Sequence, residues 1–499
     1  MTQVDRRSVL KAGAAVALAG PFAGFFARQA SAAPPSAAAQ PTLAPVPDLR
    51  DGVVRLALPP GFAYRSFQHA TVDTFQNGLP VPGRHDGMAA FPGPDGTSIL
   101  VRNHEILGPG SPFAPTPAPY DSAAAGGTIN TLVTGEGMVV ASRASLNGSM
   151  GNCAGGPMPW ESWVSCEETI NGPDVFDDFT RGSAAPPETY LKNVLLQKKH
   201  GYVFEVPSDG VSTAEPIRAT GRFSHEAIAY SPGEDAFYLT EDDFAFPSGF
   251  YRYVPPRRPG PTRQLRDGGR LFALAVQGVP RARLEAATRV GVRVPVRWVE
   301  IANPDPTFPM DTSGPSPVPT VTNDEAIHAV AEQGWVQGAA YFSRLEGAAY
   351  DRDTVYFTST QGGGERAPWV LGDPGLTSTG FGSGFGQIWA YHTLTQELEL
   401  VYVSPGPDVL DFPDNITTTK GGALIICEDG ANGNFLSGLT QNGVLVDIAQ
   451  NLIPKGTDIG GDEFAGSTFS PDQRTLFVNI QSSTGLSIAI FGDWTAMGL

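Results

Sequence analysis

Acidic side chains recur at the ends of short apolar segments along this chain. The clearest segment starts at Glu226, passes through a Pro-Gly-Glu-Asp turn and ends in a Glu-Asp-Asp run at Asp243. Carboxylates within several Å of one another repel unless cations lie among them, and Ca²⁺ prefers such oxygen-rich sites. The sequence therefore predicts a calcium site formed by Glu105, Glu168, Glu226, Asp243, Glu346, Asp414, Asp429 and Glu463. The alternative is that some of these acids only end strands at solvent.

One cysteine stands among these acids. Cys166 precedes Glu168 by two residues, so alternation along a strand puts both side chains on one face. A thiolate is a soft ligand that selects transition metals over calcium. The pattern predicts iron, or a similar ion, held by Cys166 near Glu226 and beside the harder cations. The alternative for Cys166 is a place in the hydrophobic core.

An arginine follows the same spacing. Arg344 precedes Glu346 by two residues, and a guanidinium can hold phosphate oxygens in a bidentate fork. Arg344 is therefore the candidate anion clamp. The alternative is an ion pair between Arg344 and the neighbouring carboxylates.

The acids belong to six segments of one pattern. Each has a polar or acidic start, an apolar strand, a turn rich in Pro, Gly or Asp, and a second apolar strand. The six segments start at Asp86, Asn152, Glu226, Glu346, Asp414 and Glu463. Repeated strand pairs are typical of β-propellers, so the predicted fold is all-β, a six-bladed β-propeller with loop and short helical insertions. Innermost strands of a propeller line its channel, so the acids would meet at one mouth.

Two features of this fold prediction stay open. The long spacing between the third and fourth segments leaves room for an insertion, for which Pro255–Pro319 is the candidate. A two-sheet sandwich of unrelated hairpins is the alternative architecture.

Composition restricts the classes of function. The chain has 33 Lys and Arg against 51 Asp and Glu, a net charge of −18, which disfavours nucleic acid as a partner because its phosphates would be repelled. Hydrophobic residues make up 41%, enough for a core, whereas 59 Gly and 45 Pro disfavour a helical bundle.

The N-terminus resembles an export signal. Arg6 and Arg7 precede an apolar run and the small-residue site Ala30-Ser31-Ala32. We predict a twin-arginine signal peptide over 1–32, an Ala/Pro-rich leader over 33–47 and a single propeller domain over 48–499. The twin-arginine export machinery would then be a partner, the location would be periplasmic or secreted, and no stable membrane insertion is expected. Three cysteines, at 153, 166 and 427, allow at most one disulfide.

Several of these segments together resemble the PhoX family of bacterial alkaline phosphatases. The residues that carry the resemblance are Asn103-His104-Glu105, Asn152–Gly156, Cys166-Glu167-Glu168, Gly221–Glu226, Arg344-Leu345-Glu346 and Pro413-Asp414-Asn415. The resemblance implies an exported propeller with Fe³⁺ and Ca²⁺ in its channel that hydrolyses phosphate monoesters. The chain departs from the family pattern at Leu345, Gly347 and Ser482–Thr484, which leaves the natural substrate open.

The resemblance also implies roles for individual residues. Cys166 becomes an iron ligand, Glu226 and Glu346 join it in the catalytic metal site, and Arg344 contacts the phosphoryl oxygens. Two other functions remain as alternatives. One is a calcium-dependent propeller lactonase or esterase, and the other is a non-catalytic secreted propeller that binds a partner.

Overall fold

The computed structural model describes residues 41–176, 192–364, 380–431, 433–456 and 458–499. The predicted signal peptide and most of the predicted leader lie outside these residues. The regular secondary structure of the described chain consists almost entirely of strands, as the Gly and Pro content predicted. Within the described residues, no helix is long and apolar enough to cross a membrane.

The strands, in chain order, are β1 Ala44–Pro47, β2 Val54–Leu58, β3 Ala63–Phe67, β4 Thr74–Phe75, β5 Leu79–Pro80, β6 His85–Pro92, β7 Ser98–His104, β8 Gly126–Val133, β9 Val139–Ser149, β10 Asn152–Met158, β11 Ser162–Glu167, β12 Val203–Pro207, β13 His225–Ser231, β14 Ala236–Glu241, β15 Phe250–Val254, β16 Arg270–Val276, β17 Arg293–Ile301, β18 Met310–Asp311, β19 Val318–Pro319, β20 Leu345–Asp351, β21 Thr354–Ser359, β22 Gln387–His392, β23 Glu397–Val403, β24 Pro413–Thr418, β25 Leu424–Glu428, β26 Phe435–Leu439, β27 Leu445–Asn451, β28 Pro454–Lys455, β29 Asp458–Ile459, β30 Phe464–Phe469, β31 Thr475–Ile480 and β32 Leu486–Phe491. The described α-helices are α1 Pro259–Thr262, α2 Asn323–Ile327 and α3 Ala329–Trp335.

The six predicted segments are antiparallel hairpins, whose first strands are β6, β10, β13, β20, β24 and β30. Each of these strands contacts the first strand of the next hairpin, and β30 contacts β6, which closes the ring. The early strand β3 pairs with the last strand β32, so segments from near the two ends of the described chain share one sheet. The architecture is all-β and propeller-like.

The count of six blades stays a prediction, because the sheets do not separate into six. Strand β17 pairs with β23, which joins β13–β17 and β20–β23 into one nine-stranded sheet. The predicted insertion Pro255–Pro319 contributes the hairpin β16–β17 to this sheet. The longest described helices, α2 and α3, follow the insertion rather than lying inside it.

The predicted leader ends inside the fold. Ala44–Pro47 pairs with β2 at the edge of the sheet that contains β24–β27, so the folded part includes residues before position 48. Two prolines in β1 suit an edge strand, because proline cannot donate a ladder hydrogen bond.

Hydrophobic side chains fill the space between neighbouring hairpins. The largest cluster includes Val164 and Cys166 of β11, Ile228 of β13 and Leu239 of β14, all fully buried. Full burial of one such aliphatic side chain contributes about 1.5–3 kcal/mol. These clusters fix how the first strands meet around the central axis.

Every one of the six hairpins has a β-bulge at the same place. Near the start of each first strand, two residues face one on the second strand, so one extra residue is inserted. The bulges start at Asp86, Cys153, Glu226, Glu346, Asp414 and Gly466. A bulge bends its strand and redirects a side chain out of the regular alternation.

Candidate functional site

A cavity of about 460 Å³ lies where the bulges meet. Its lining consists of Arg84, Asp86, Glu105, Cys153, Glu168, Glu226, Arg344, Glu346, Asp414, Asp429, Lys455, Gly461, Asp462, Glu463, Gln481, Ser482 and Ser483. Nine of these residues are acidic and three are cationic. Strand starts from separate hairpins therefore do converge on one pocket.

The bulge residues supply the innermost side chains. Five of the six bulge starts carry a side chain that can bind a cation, and all five line the cavity: Asp86, Cys153, Glu226, Glu346 and Asp414. In the sixth hairpin this position is Gly466, and Glu463 reaches the cavity from just before β30.

The residue after the bulge start is small in five of the six hairpins, Asn415 being the exception, and neighbouring first strands approach closely there. A Cβ at Gly87 would lie 2.6 Å from Ala154 Cα, and a Cβ at Gly347 would lie 2.6 Å from Ile416 N. Gly347, one of the departures from the family pattern, is thus required by its contact with β24.

A second set of side chains comes from the ends of the second strands. The last paired residues of three second strands are His104, Glu167 and Glu428, which lie opposite His85, Asn152 and Pro413. In each case the next residue along the chain lines the cavity. These residues are Glu105, Glu168 and Asp429. Asp242 occupies the same position after β14, since Glu241 pairs with His225.

Three overlapping groups of potential metal ligands are present, and within each group the ligand atoms all lie within 4.8 Å of one another. The groups are Cys153, Glu168 and Glu226; Glu168, Asp242 and Glu346; and Glu226, Glu346 and Asp414. One thiol and five carboxylates thus form a continuous cluster of potential metal ligands.

The electrostatic environment of this cluster disfavours ionisation of its carboxyl groups. Burial first, and then neighbouring carboxylates, raise the pKa of each of six acids well above its usual value: Asp86, Glu168, Glu226, Glu346, Asp414 and Glu463. Burial also raises the pKa of Glu105 to about 7. Burial and the nearby Glu226 raise the pKa of the Cys153 thiol. Cations are needed for these groups to be ionised together at neutral pH.

Arg344 is embedded in this cluster. Its Nη2 lies 2.8 Å from Asp242 Oδ2 and 2.8 Å from Glu346 Oε1, and its Nε donates to Asp242 Oδ1 at 3.1 Å. Burial alone would lower the pKa of Arg344, but the carboxylates of Asp242 and Glu346 outweigh it and raise that pKa. The ion pair that the sequence left as an alternative is therefore present, and the anion clamp remains a prediction.

Cys166 was placed wrongly by the alternation argument. It lies opposite the bulge of its own hairpin, fully buried in the hydrophobic cluster with Val164 and Ile228, and it does not line the cavity. Strand β11 ends at Glu167, so Glu168 lies beyond the strand and the two-residue alternation does not carry from Cys166 to Glu168. The thiol at the cavity belongs to Cys153. All three cysteines are free and buried.

The prediction of Asp243 as a ligand was also wrong by one residue, because Asp242 belongs to the cluster instead. Its Oδ1 accepts hydrogen bonds from the N–H groups of Ala245 and Phe246, so it shapes the turn after β14. Asp242 takes its predicted place beside Arg344 and Glu346. Glu241, the first acid of this run, has a structural role, since its Oε2 accepts hydrogen bonds from Gly249 N and Tyr251 OH.

The other predicted acids lie where expected. Those lining the cavity are Glu105, Glu168, Glu226, Glu346, Asp414, Asp429 and Glu463. Six residues with charged or thiol side chains at or beside the cavity were not among the predicted site residues: Arg84, Asp86, Cys153, Asp242, Lys455 and Asp462. The signal for two of them is a bulge residue followed by a small one, as in Asp86-Gly87 and Cys153-Ala154, which matches Glu226-Ala227 and Glu346-Gly347.

Hydrogen bonds between hairpins hold the bulges. Asn103 Nδ2 donates to the carbonyl of Cys153 at 2.7 Å, Thr240 Oγ1 to that of Glu346, and Thr358 Oγ1 to that of Asp414 at 2.8 Å. Each donor lies opposite the bulge of its own hairpin and bonds to the bulge residue of a neighbouring hairpin. Cys166 occupies the equivalent position in the second hairpin.

Comparison with known proteins agrees with this geometry. The model of the family described as alkaline phosphatase PhoX matches residues 42–147 and 134–484. The chain belongs to the PhoX family. Its fold is similar to that of Pseudomonas fluorescens PhoX in complex with vanadate, a transition state analogue, with 17% identity, a TM-score of 0.61, and coverage of 91% of this chain and 98% of the other.

A weaker likeness links the chain to a gluconolactonase of Xanthomonas campestris, at 12% identity and a TM-score of 0.38, over 91% of this chain and 99% of the other. No sequence among the curated proteins matches the chain.

PhoX membership identifies the chain as a metal-dependent alkaline phosphatase, a phosphoric monoester hydrolase. It favours this activity over the lactonase and the non-catalytic alternatives.

Proposed function

We propose that this PhoX member is exported and hydrolyses phosphate monoesters at a centre of Fe³⁺ and Ca²⁺ ions in the cavity. The observation that supports this proposal is the convergence of one thiol and nine carboxylates on a single buried pocket. Such a charge density is stable only with cations bound.

The donor set fits the proposed ions. Glu226 Oε2 is buried and has no hydrogen-bond partner among the described residues, which is the state of a ligand atom that awaits a cation. Cys153, with Glu168 and Glu226 beside it, offers the mixed sulfur and oxygen set that suits Fe³⁺. The oxygen-only part of the pocket suits Ca²⁺ and contains Asp86, Glu105, Glu346, Asp414, Asp429 and Glu463.

Bound cations supply Lewis acidity toward the phosphoryl oxygens of a substrate. The protein's own part is binding and orientation. Arg344 bonds to the described residues through Nε and Nη2, which leaves Nη1 to donate to a phosphoryl oxygen. Asp242 and Glu346 fix the plane of that guanidinium, so its charge is in place before the substrate arrives.

The architecture and location complete the proposal. One blade is assigned to each bulged hairpin, which gives six blades, and residues 48–499 form the main part of one propeller domain. Residues 1–32 act as a twin-arginine signal peptide and 33–43 as the leader that precedes β1, so the mature enzyme is periplasmic or secreted. Twin arginines before an Ala-rich apolar run and a small-residue cleavage site support this assignment.

The test combines elemental analysis of the exported protein with assays on p-nitrophenyl phosphate and gluconolactone. We expect iron and calcium in the purified protein, hydrolysis of the phosphate ester and none of the lactone. Glu226→Gln should lower kcat/KM by about a hundredfold, whereas the exposed Glu136→Gln serves as the control and should change nothing. Full turnover by an iron-free protein, or lactone hydrolysis with calcium alone, would contradict the proposal.

A further inference from the structure

Three cationic side chains line the cavity at different exposures. The Arg344 side chain is 17% exposed, whereas that of Arg84 is 50% exposed and that of Lys455 is 59% exposed. Arg344 therefore lies within the cluster of acids, and Arg84 and Lys455 lie at the rim. Rim cations do not contribute to holding metal ions, which they repel, so their presence needs another explanation.

Arg84 is the counterpart of Arg344 in another hairpin. Arg84-His85-Asp86 and Arg344-Leu345-Glu346 both place arginine two residues before the bulge start. The Arg84 carbonyl accepts from Glu105 N, and the Arg344 carbonyl accepts from Thr360 N at the matching second-strand position. The two hairpins are three steps apart in the closed ring, so the arginines approach the cavity from different sides.

The backbone around Arg84 is fixed in place. Arg84 has a φ of +54°, a conformation that non-glycine residues keep only where their contacts hold it. Arg84 N donates to the Ser482 carbonyl at 2.6 Å, and a Cβ at Gly83 would clash with the Ser483 carbonyl. Ser482 and Ser483 line the same cavity.

The guanidinium of Arg84 has few close contacts with the described residues that could neutralise its charge. Its Nη1 lies 3.3 Å from Gln481 Oε1 and 3.6 Å from Glu105 Oε2, the latter longer than a hydrogen bond. Arg344 by contrast is gripped by two carboxylates. Lys455 is held to Asp462 at 3.0 Å on the rim. Among the residues that the structure describes, Arg84 thus has donors left for an anion from outside.

We infer that Arg84, with Ser482, Ser483 and Lys455, forms a second anion subsite at the rim. The substrates it selects are phosphate monoesters whose leaving group carries a further anionic group, such as a carboxylate or a second phosphate. The inference rests on the proposed phosphatase function of the same cavity. Arg344 would serve the reacting phosphate and Arg84 the second anion.

The test uses the metal-loaded enzyme and two substrates with the same three-carbon skeleton. Phosphoglycerate carries a carboxylate where glycerol phosphate carries an alcohol. In Arg84→Gln we expect the ratio of kcat/KM for phosphoglycerate to that for glycerol phosphate to fall about fivefold, the size of an exposed ion pair. Arg84→Lys should retain part of the ratio, and Lys455→Gln should lower it further when combined with Arg84→Gln.

A matched control is Arg474→Gln, which removes an arginine that is 86% exposed and does not line the cavity, and should leave the ratio unchanged. An unchanged ratio in Arg84→Gln, or an equal loss for both substrates, would overturn the subsite while leaving the phosphatase intact. If the wild-type enzyme hydrolyses neither substrate, nor p-nitrophenyl phosphate, the proposed function itself fails.

Discussion

Asp242 grips the guanidinium of Arg344 with both carboxylate oxygens, through Nε at 3.1 Å and Nη2 at 2.8 Å. Glu346 holds the same Nη2 at 2.8 Å. Asp242 belongs to the end of one hairpin, and Arg344 and Glu346 belong to the start of the next. The orientation of the candidate anion clamp therefore depends on how two hairpins meet.

Replacing Asp242 should disturb the clamp directly. Asp242→Asn removes the charge that orients Arg344, and we expect kcat/KM for p-nitrophenyl phosphate to fall by about ten- to a hundredfold. Asp243→Asn is the matched control, because an amide oxygen can still accept from Ala245 N and Phe246 N. A larger loss for Asp243→Asn than for Asp242→Asn would contradict the assignment of Asp242 as the residue that orients Arg344.

The hydrogen bonds that hold the bulges should matter for metal retention. Thr240 Oγ1 donates to the Glu346 carbonyl and accepts from Ala227 N at 2.8 Å. Thr240→Val leaves both buried groups unpaired, at a cost of about 1–3 kcal/mol each, so we expect faster loss of metal to a chelator. Thr240→Ser keeps the hydroxyl and should restore retention. Equal retention in both variants would refute a positioning role.

His200 should make stability depend on pH. Burial would lower its pKa, but Glu167 at 2.7 Å and Asp121 at 3.5 Å outweigh burial and raise the pKa to about 9. Because the folded pKa exceeds the unfolded value of 6.5, the stabilisation is complete below pH 6.5 and is lost as the pH rises through 9.

The measurement is the free energy of unfolding of the wild type and of His200→Gln across this range. The difference between the two proteins should shrink by about 3 kcal/mol from pH 6 to above pH 9. A difference that stays constant with pH would mean that His200 is not charged in the folded protein.

Metal removal should destabilise the fold. Without cations the acids of the cavity are buried together, and their raised pKa values show that the ionised state is unfavourable. Bound metal stabilises by mass action, so treatment with a chelator should cost about 3 kcal/mol and lower Tm by several degrees. Calcium should restore Tm better than magnesium does, because the pocket offers many oxygen ligands. An unchanged Tm after verified metal loss would contradict a metal-held cavity.

The sequence predicted the hairpins and most of their acids, because strand and turn patterns are local. It could not decide which residue of an acidic run faces the channel. Alternation selected Cys166, and Asp243 was selected as the last acid of its run, but the bulge brings Cys153 of β10 to the cavity and Asp242 is the residue that directly follows β14. The pairing of β17 with β23 was equally hidden, since it joins residues about a hundred positions apart.

We propose that Cys153 provides the thiolate of an iron-containing phosphatase centre. The most direct measurement is the visible absorption spectrum of exported wild-type, Cys153→Ala and Cys166→Ala proteins, recorded with their iron content. We expect a thiolate-to-iron charge-transfer band in the wild type and in Cys166→Ala, and its loss together with phosphatase activity in Cys153→Ala. A band that survives in Cys153→Ala and disappears in Cys166→Ala would contradict it.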